Sequence, residues 1–112
     1  MDIIIKRFTD FDIQELYQLL QLRTEGFVVE QDCVYQDMDG KDDKAIHILG
    51  HINDQLASYT RIFKPGDYFD QSSIGRVVVS PLYRGKSYGK EIMKASIAFI
   101  KAENYPSVKI SA

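Results

Sequence analysis

The chain has 112 residues, a net charge of −2 and 27% charged residues. That length fits one domain, residues 1–112, with one hydrophobic core. The small net charge and the lack of basic runs exclude a general nucleic-acid binder, and no apolar run is long enough to span a membrane.

Ile3 to Phe8 reads as a short strand. Thr9 then offers an N-cap hydroxyl, with Asp12 three residues on. Ile13, Leu16, Tyr17, Leu20 and Phe27 recur near helical spacing, with Leu19 and Leu22 widening the stripe. They predict a helix over about residues 11–25, ending near Gly26. Phe27 to Asp43 reads as an acidic loop containing Gly40.

Ala45 to Ile52 and Gln55 to Phe63 read as a hairpin around Asn53-Asp54. Pro65-Gly66-Asp67 breaks the chain before a further strand, Ser73 to Val79. A helix follows from Arg84 to about Asn104, and Pro106 stops it. Val108-Lys109-Ile110 begins a last strand. The order β-α-β-β-β-α-β predicts an α/β (α+β) fold: a mixed, mostly antiparallel twisted sheet with flanking helices. Its last strand-helix-strand unit should be a parallel crossover.

Cys33 is the single cysteine, which excludes an internal disulfide and fits a reducing compartment, so the expected location is cytoplasmic. It reads as a packed residue. His47 and His51 sit four apart on a strand, about 13 Å from each other, too far to share a metal. Asp37-Met38-Asp39-Gly40 lacks the remaining ligands of a calcium loop. No metal site is expected.

The chemistry concentrates between Arg76 and Lys90, where a strand, a proline turn and two glycines lead into a helix. Four basic residues stand there: Arg76, Arg84, Lys86 and Lys90. A helix N-terminus presents unpaired N–H groups and partial positive charge, and phosphate is its natural ligand. Glycine lets backbone approach such a ligand closely. A P-loop is excluded because Gly85 and Gly89 are one residue too close and Glu91 follows Lys90. A dinucleotide fingerprint is excluded because G-x-G-x-x-G is absent.

The run Arg84-Gly85-Lys86-Ser87-Tyr88-Gly89 resembles the signature of the GNAT acyltransferase superfamily: Arg or Gln, two residues, Gly, one residue, then Gly or Ala. Ser87 stands where the middle glycine is expected. The runs Leu19 to Arg23, Phe27 to Cys33, Tyr35 to Gly40 and Arg76 to Pro81 are similar to the ElaA-like branch of that superfamily. The similarity spans most of the chain, from about Leu16 to Ala112.

The resemblance implies an N-acetyltransferase that moves an acetyl group from acetyl-coenzyme A to an amine on a small molecule or peptide. The pyrophosphate would meet Arg84, Gly85, Lys86, Ser87, Tyr88, Gly89 and Lys90, with the four basic residues gathered for it. The pantetheine arm would run along Val77, Val78 and Val79. Glu30 is the first candidate for taking the amine proton, and Asp37 and Asp39 are candidate attractors for a cationic acceptor. Relative to the family, the chain lacks the last helix and strands, and with them a tyrosine that serves many relatives as general acid. Tyr59, Tyr83 and Tyr88 have packing or loop roles and do not replace it. Two alternatives stand beside the enzyme: a coenzyme-A-binding or interaction module without turnover, and a nucleotide-binding protein of another class. The last strand would also offer an edge on which two copies can pair, unless the chain is a fragment of a longer protein.

Overall fold

A computed structural model describes residues 1–29 and 36–110. Strand β1 is Asp2–Arg7 and helix α1 is Ile13–Thr24. Strands β2 and β3, Ile46–Ile52 and Gln55–Phe63, form the hairpin. Strand β4 is Ser72–Val79, helix α2 is Tyr88–Ala102, and β5 is Val108–Ile110. The order is the one the pattern predicts. The sheet runs β1-β2-β3-β4-β5; every pair is antiparallel except β4 and β5, which are parallel.

The two helices cover opposite faces of the sheet. Alternation along β2 and β3 sends Leu49 and Tyr59 towards α1, where they meet Leu19, Leu22, Phe27 and Val78. It sends Ile48 and Ile62 towards α2, where they meet Ile74, Ile92 and Ile100. The hydroxyl of Ser96 on α2 donates to its own helix at Ile92 O, 2.8 Å away. It therefore accepts from Thr60 Oγ1 on β3 at 2.5 Å, which fixes the helix on the sheet.

Local expectations change at both helices, and the turn Glu25–Val29 carries the first one past Gly26. The cap of α1 is Asp12, not Thr9: Asp12 Oδ1 accepts from Glu15 N–H at 2.8 Å, and Glu15 Oε1 accepts from Asp12 N–H at 3.3 Å. Residues Phe8–Asp10 form a separate short turn, which absorbs the threonine. Helix α1 is also rotated from its expected stripe. Ile13 and Tyr17 are 88% and 73% exposed, while Leu19, Leu22 and Arg23 face inward. Finally, α2 starts at Tyr88 rather than Arg84, because Gly85 and Ser87 take left-handed φ values of 79° and 65° that no α-helix contains.

Candidate functional site

The site begins with an irregularity in β4. Between the paired residues Tyr59 and Arg61, β3 has one residue, Thr60; β4 has two between their partners, Arg76 and Val77. The extra residue makes a bulge. Arg76 occupies it at φ 51°. Beyond it Val78 faces Tyr59 and Val79 faces Ser58. The Ser80 N–H donates to Ala57 O at 2.7 Å, so Ser80 points its backbone at β3. By alternation, Val79 and Val77 turn theirs to the opposite side. Among the described residues, strand β5 pairs there with Ser72, Ser73 and Ile74. Among the described residues, stretch 75–79 has no strand partner on that side.

This open stretch runs into the turn that starts α2. Ser80 caps the short helix Pro81–Tyr83 by accepting from Leu82 N–H at 3.4 Å. Gly85 and Ser87 then reverse the chain with their left-handed backbone. The Glu91 N–H is bonded to Ser87 O at 3.1 Å. Tyr88, Gly89 and Lys90 lie ahead of it, with no helical carbonyl for their N–H groups. A Cβ on Gly89 would sit 3.5 Å from Val79 Cγ2, so the helix start lies against the open stretch of β4. Arg84 Nε donates to Val79 O at 3.2 Å, which puts its guanidinium on the same side. Lys86 and Lys90 are exposed beside it. Backbone donors and cationic side chains thus share one edge.

Ser87 explains itself locally. It is the residue before the first helical turn, at φ 65° and ψ 18°, and its side chain makes no cap bond. A non-glycine residue there costs about 1–2 kcal/mol, which glycine does not incur. Ser87→Gly should therefore raise the unfolding free energy by about 1 kcal/mol in a urea titration. A loss of stability would mean that the serine side chain has a partner worth more than the strain.

Of the four basic residues between Arg76 and Lys90, three lie by this edge and Arg76 does not. Its side chain crosses to the α1 face: Nε reaches Asp37 Oδ1 at 3.0 Å and Nη2 reaches Asp39 Oδ2 at 3.5 Å. These are two members of a larger set. Arg23 pairs with Asp37 at 2.9 Å and Asp42 at 2.8 Å; Arg61 pairs with Asp39 at 2.8 Å and Asp42 at 2.9 Å. Each of the three aspartates bridges two of the three arginines. Asp37 and Asp39, read from sequence as attractors for a cationic acceptor, are already matched by guanidinium charge. Glu30, the candidate base, and Cys33 lie outside the described residues.

A buried histidine adjoins the set. Asp42 O can only accept, so His47 Nε2 carries the proton in that 2.9 Å bond, and Nδ1 accepts from the Tyr59 hydroxyl at 2.5 Å. Burial holds His47 below its ordinary 6.5, and burial pushes the Tyr59 phenol up. Burial alone would raise Asp39, but the Arg61 hydrogen bonds, the Lys41 N–H and the Arg61 and Arg76 charges hold it at about 2. Both His47 and Asp39 resist protonation more in the folded chain than in the unfolded one. His47 contributes its full stability above a pH of about 6.5 and loses it as pH falls. Asp39 contributes above about pH 4 and loses its contribution as pH falls towards 2. Thermal melts from neutral to acid pH should show the midpoint falling in two stages; a flat profile would contradict this network.

A cleft of about 610 Å³ lies elsewhere, at the end of β1 and the C-terminus of α2. Its four basic side chains share the walls with four acidic ones, so it offers no net charge to an anion. The α2 N-terminus is the better candidate on charge.

Residues 13–111 match the model of the acetyltransferase (GNAT) family. The chain belongs to that family. It is 45% identical over 91 residues to the protein ElaA of Escherichia coli K12, covering 80% of this chain and 60% of that protein. It is 39% identical over 106 residues to the UPF0039 protein sll0451 of Synechocystis, covering 94% of this chain and 68% of that one. The crystal structure of E. coli ElaA superposes with a TM-score of 0.90 at 38% identity, covering 99% of this chain and 77% of that one. An acyl-CoA N-acyltransferase from Pseudomonas aeruginosa gives the same TM-score and identity, with 99% and 78% covered. The fold is therefore that of a GNAT N-acyltransferase, with a five-stranded open sheet and two α-helices among the described residues. Among the described residues no helix is long and apolar enough to cross a membrane.

Proposed function

We propose that this chain binds acetyl-coenzyme A along β4 and at the start of α2, and passes the acetyl group to an amine in the cytoplasm. The observation that carries the reading is the single edge on which two kinds of donor meet. The backbone of Val77 and Val79, which among the described residues has no strand partner on that side, is suited to an extended amide-bearing arm, as an added strand would be. The N–H groups at Tyr88, Gly89 and Lys90, with Arg84, Lys86 and Lys90, are suited to a pyrophosphate. Family membership and the acyl-CoA-named structural relative support the same cosubstrate class.

In the reaction a neutral amine nitrogen attacks the thioester carbonyl. The C–N bond forms, the C–S bond breaks, and sulfur leaves as thiolate. A backbone N–H of the Val77–Val79 stretch would donate to the developing oxyanion. Glu30 is the proposed acceptor of the amine proton. Asp37 and Asp39 drop out as substrate attractors, since each already faces two guanidiniums.

A second reading, coenzyme-A binding without turnover, draws on the tyrosines. Tyr59 is fully buried against His47, and Tyr83 donates to Gln55 Oε1 at 2.5 Å, so neither is placed to protonate a thiolate. Thiol release from acetyl-coenzyme A separates the two. Amine-dependent release across a panel of small amines and peptide N-termini supports transfer. Binding without release on any of them supports the second reading.

A further inference from the structure

We propose that Arg76 is a positioning residue, whose side chain holds the β4 bulge and so keeps the backbone of Val77 and Val79 turned to the open edge. The proposal rests on the reading of that edge as the coenzyme's strand-binding surface.

The bulge needs something to hold it. Arg76 is not glycine, yet it stands at φ 51° in the middle of a strand. Such a conformation persists only where the surroundings over-determine it. Here the surroundings are visible. Arg76 Nε donates to Asp37 Oδ1 at 3.0 Å, and Nη2 donates to Asp37 O at 3.2 Å and Asp39 Oδ2 at 3.5 Å. The guanidinium also lies 6.0 Å from the centre of the Phe27 ring. Both aspartates are held from behind by Arg23 and Arg61, which are 0% and 2% exposed. The loop before β2 is thus anchored in the α1-side core and grips the bulge from outside the strand.

The consequence follows from strand periodicity. Without the extra residue, β4 would pair regularly with β3, and its register beyond Gly75 would slip by one. A one-residue slip reverses which side every later residue faces. Val77 and Val79 would then point their backbone groups into β3, and the edge facing the proposed cofactor would carry a different set. The phosphate-facing turn at 84–90 follows the strand and keeps its own N–H groups whatever that register is. Arg76 should therefore act on the arm of the cofactor and not on its nucleotide half.

Two ligands separate these effects: phosphoadenosine diphosphate, the nucleotide half of coenzyme A, and acetyl-coenzyme A itself. The wild type should bind the second more tightly, by an increment due to the arm. Arg76→Ala keeps the backbone strain and removes the grip. It should keep its affinity for the nucleotide half and lose about tenfold for acetyl-coenzyme A, the size of one or two backbone hydrogen bonds. Arg76→Gly also removes the grip but is at ease at positive φ, so it should recover most of the increment. That pattern, glycine better than alanine and only for the longer ligand, is one that loss of charge or general destabilisation does not produce.

An Arg76→Ala chain that retains the full increment overturns the proposal. So do equal losses in both variants, or equal losses for both ligands. If Arg76→Ala does not fold, Arg76→Lys, which keeps the charge but not the forked grip, takes its place: loss of most of the arm increment, recovered in Arg76→Gly, supports the proposal, and an Arg76→Lys chain that keeps the full increment overturns it. A wild type that binds neither ligand overturns the cofactor reading itself, and this proposal with it. A wild type that binds both equally overturns only this proposal.

Discussion

Arg23→Ala should lower the unfolding free energy by about 3–5 kcal/mol in urea titration, the cost of leaving buried charge without its partner. Arg23 is completely buried, with ion-pair distances of 2.9 Å to Asp37 and 2.8 Å to Asp42. It also donates to Asp37 O at 3.2 Å and lies 5.9 Å from the Tyr59 ring centre. Removing it strips one guanidinium from each of two shielded carboxylates and opens a cavity beside Tyr59. The exposed pair Lys64–Asp67, at 4.0 Å, is the control: Lys64→Ala should change stability by less than about 1 kcal/mol. An Arg23→Ala effect as small as the control's would mean that the network dissolves in solution.

The second large effect concerns binding. Arg84→Glu should weaken acetyl-coenzyme A by about 1.5–3 kcal/mol or more, because it replaces a charge-assisted donor with a repelling carboxylate. Arg84 is tied to the open strand through Val79 O, so its guanidinium is held near where the strand meets the helix start. It is exposed, and its substitution should leave the melting temperature nearly unchanged. Reduced affinity with intact stability supports a direct phosphate contact. Unchanged affinity removes Arg84 from the site.

The fold was largely legible. The Asn53-Asp54 turn marks the hairpin, and its observed bounds differ from the reading by at most one residue. Val108–Ile110 formed as read. Two of the misses come from a charged or a strained residue. Helix α1 is rotated because Arg23 must reach Asp37 and Asp42, and no apolar stripe encodes that. Helix α2 begins late because Ser87 takes a backbone that sequence assigns to glycine.

The same holds at the site. The spacing of Arg84, Gly85 and Gly89 located the helix-start turn, where charge and backbone donors coincide. Arg76 is close to that turn in sequence, yet the bulge turns its side chain to the other face. The arginine–aspartate network went unread, although a signal existed. Arg61 sits between Tyr59 and Phe63 on a strand, at the inward parity, and Arg23 directly follows buried Leu22 four residues after Leu19. An arginine at a core position predicts a carboxylate partner, and the acidic loop at 37–43 was there to supply it.

The edge formed by β4 and the start of α2 is the proposed coenzyme A site. Calorimetric titration of the purified chain with acetyl-coenzyme A, with ATP as the control, tests it most directly. Micromolar binding of acetyl-coenzyme A, with none for ATP, is the predicted result. Absence of acetyl-coenzyme A binding, or a preference for ATP, would contradict it.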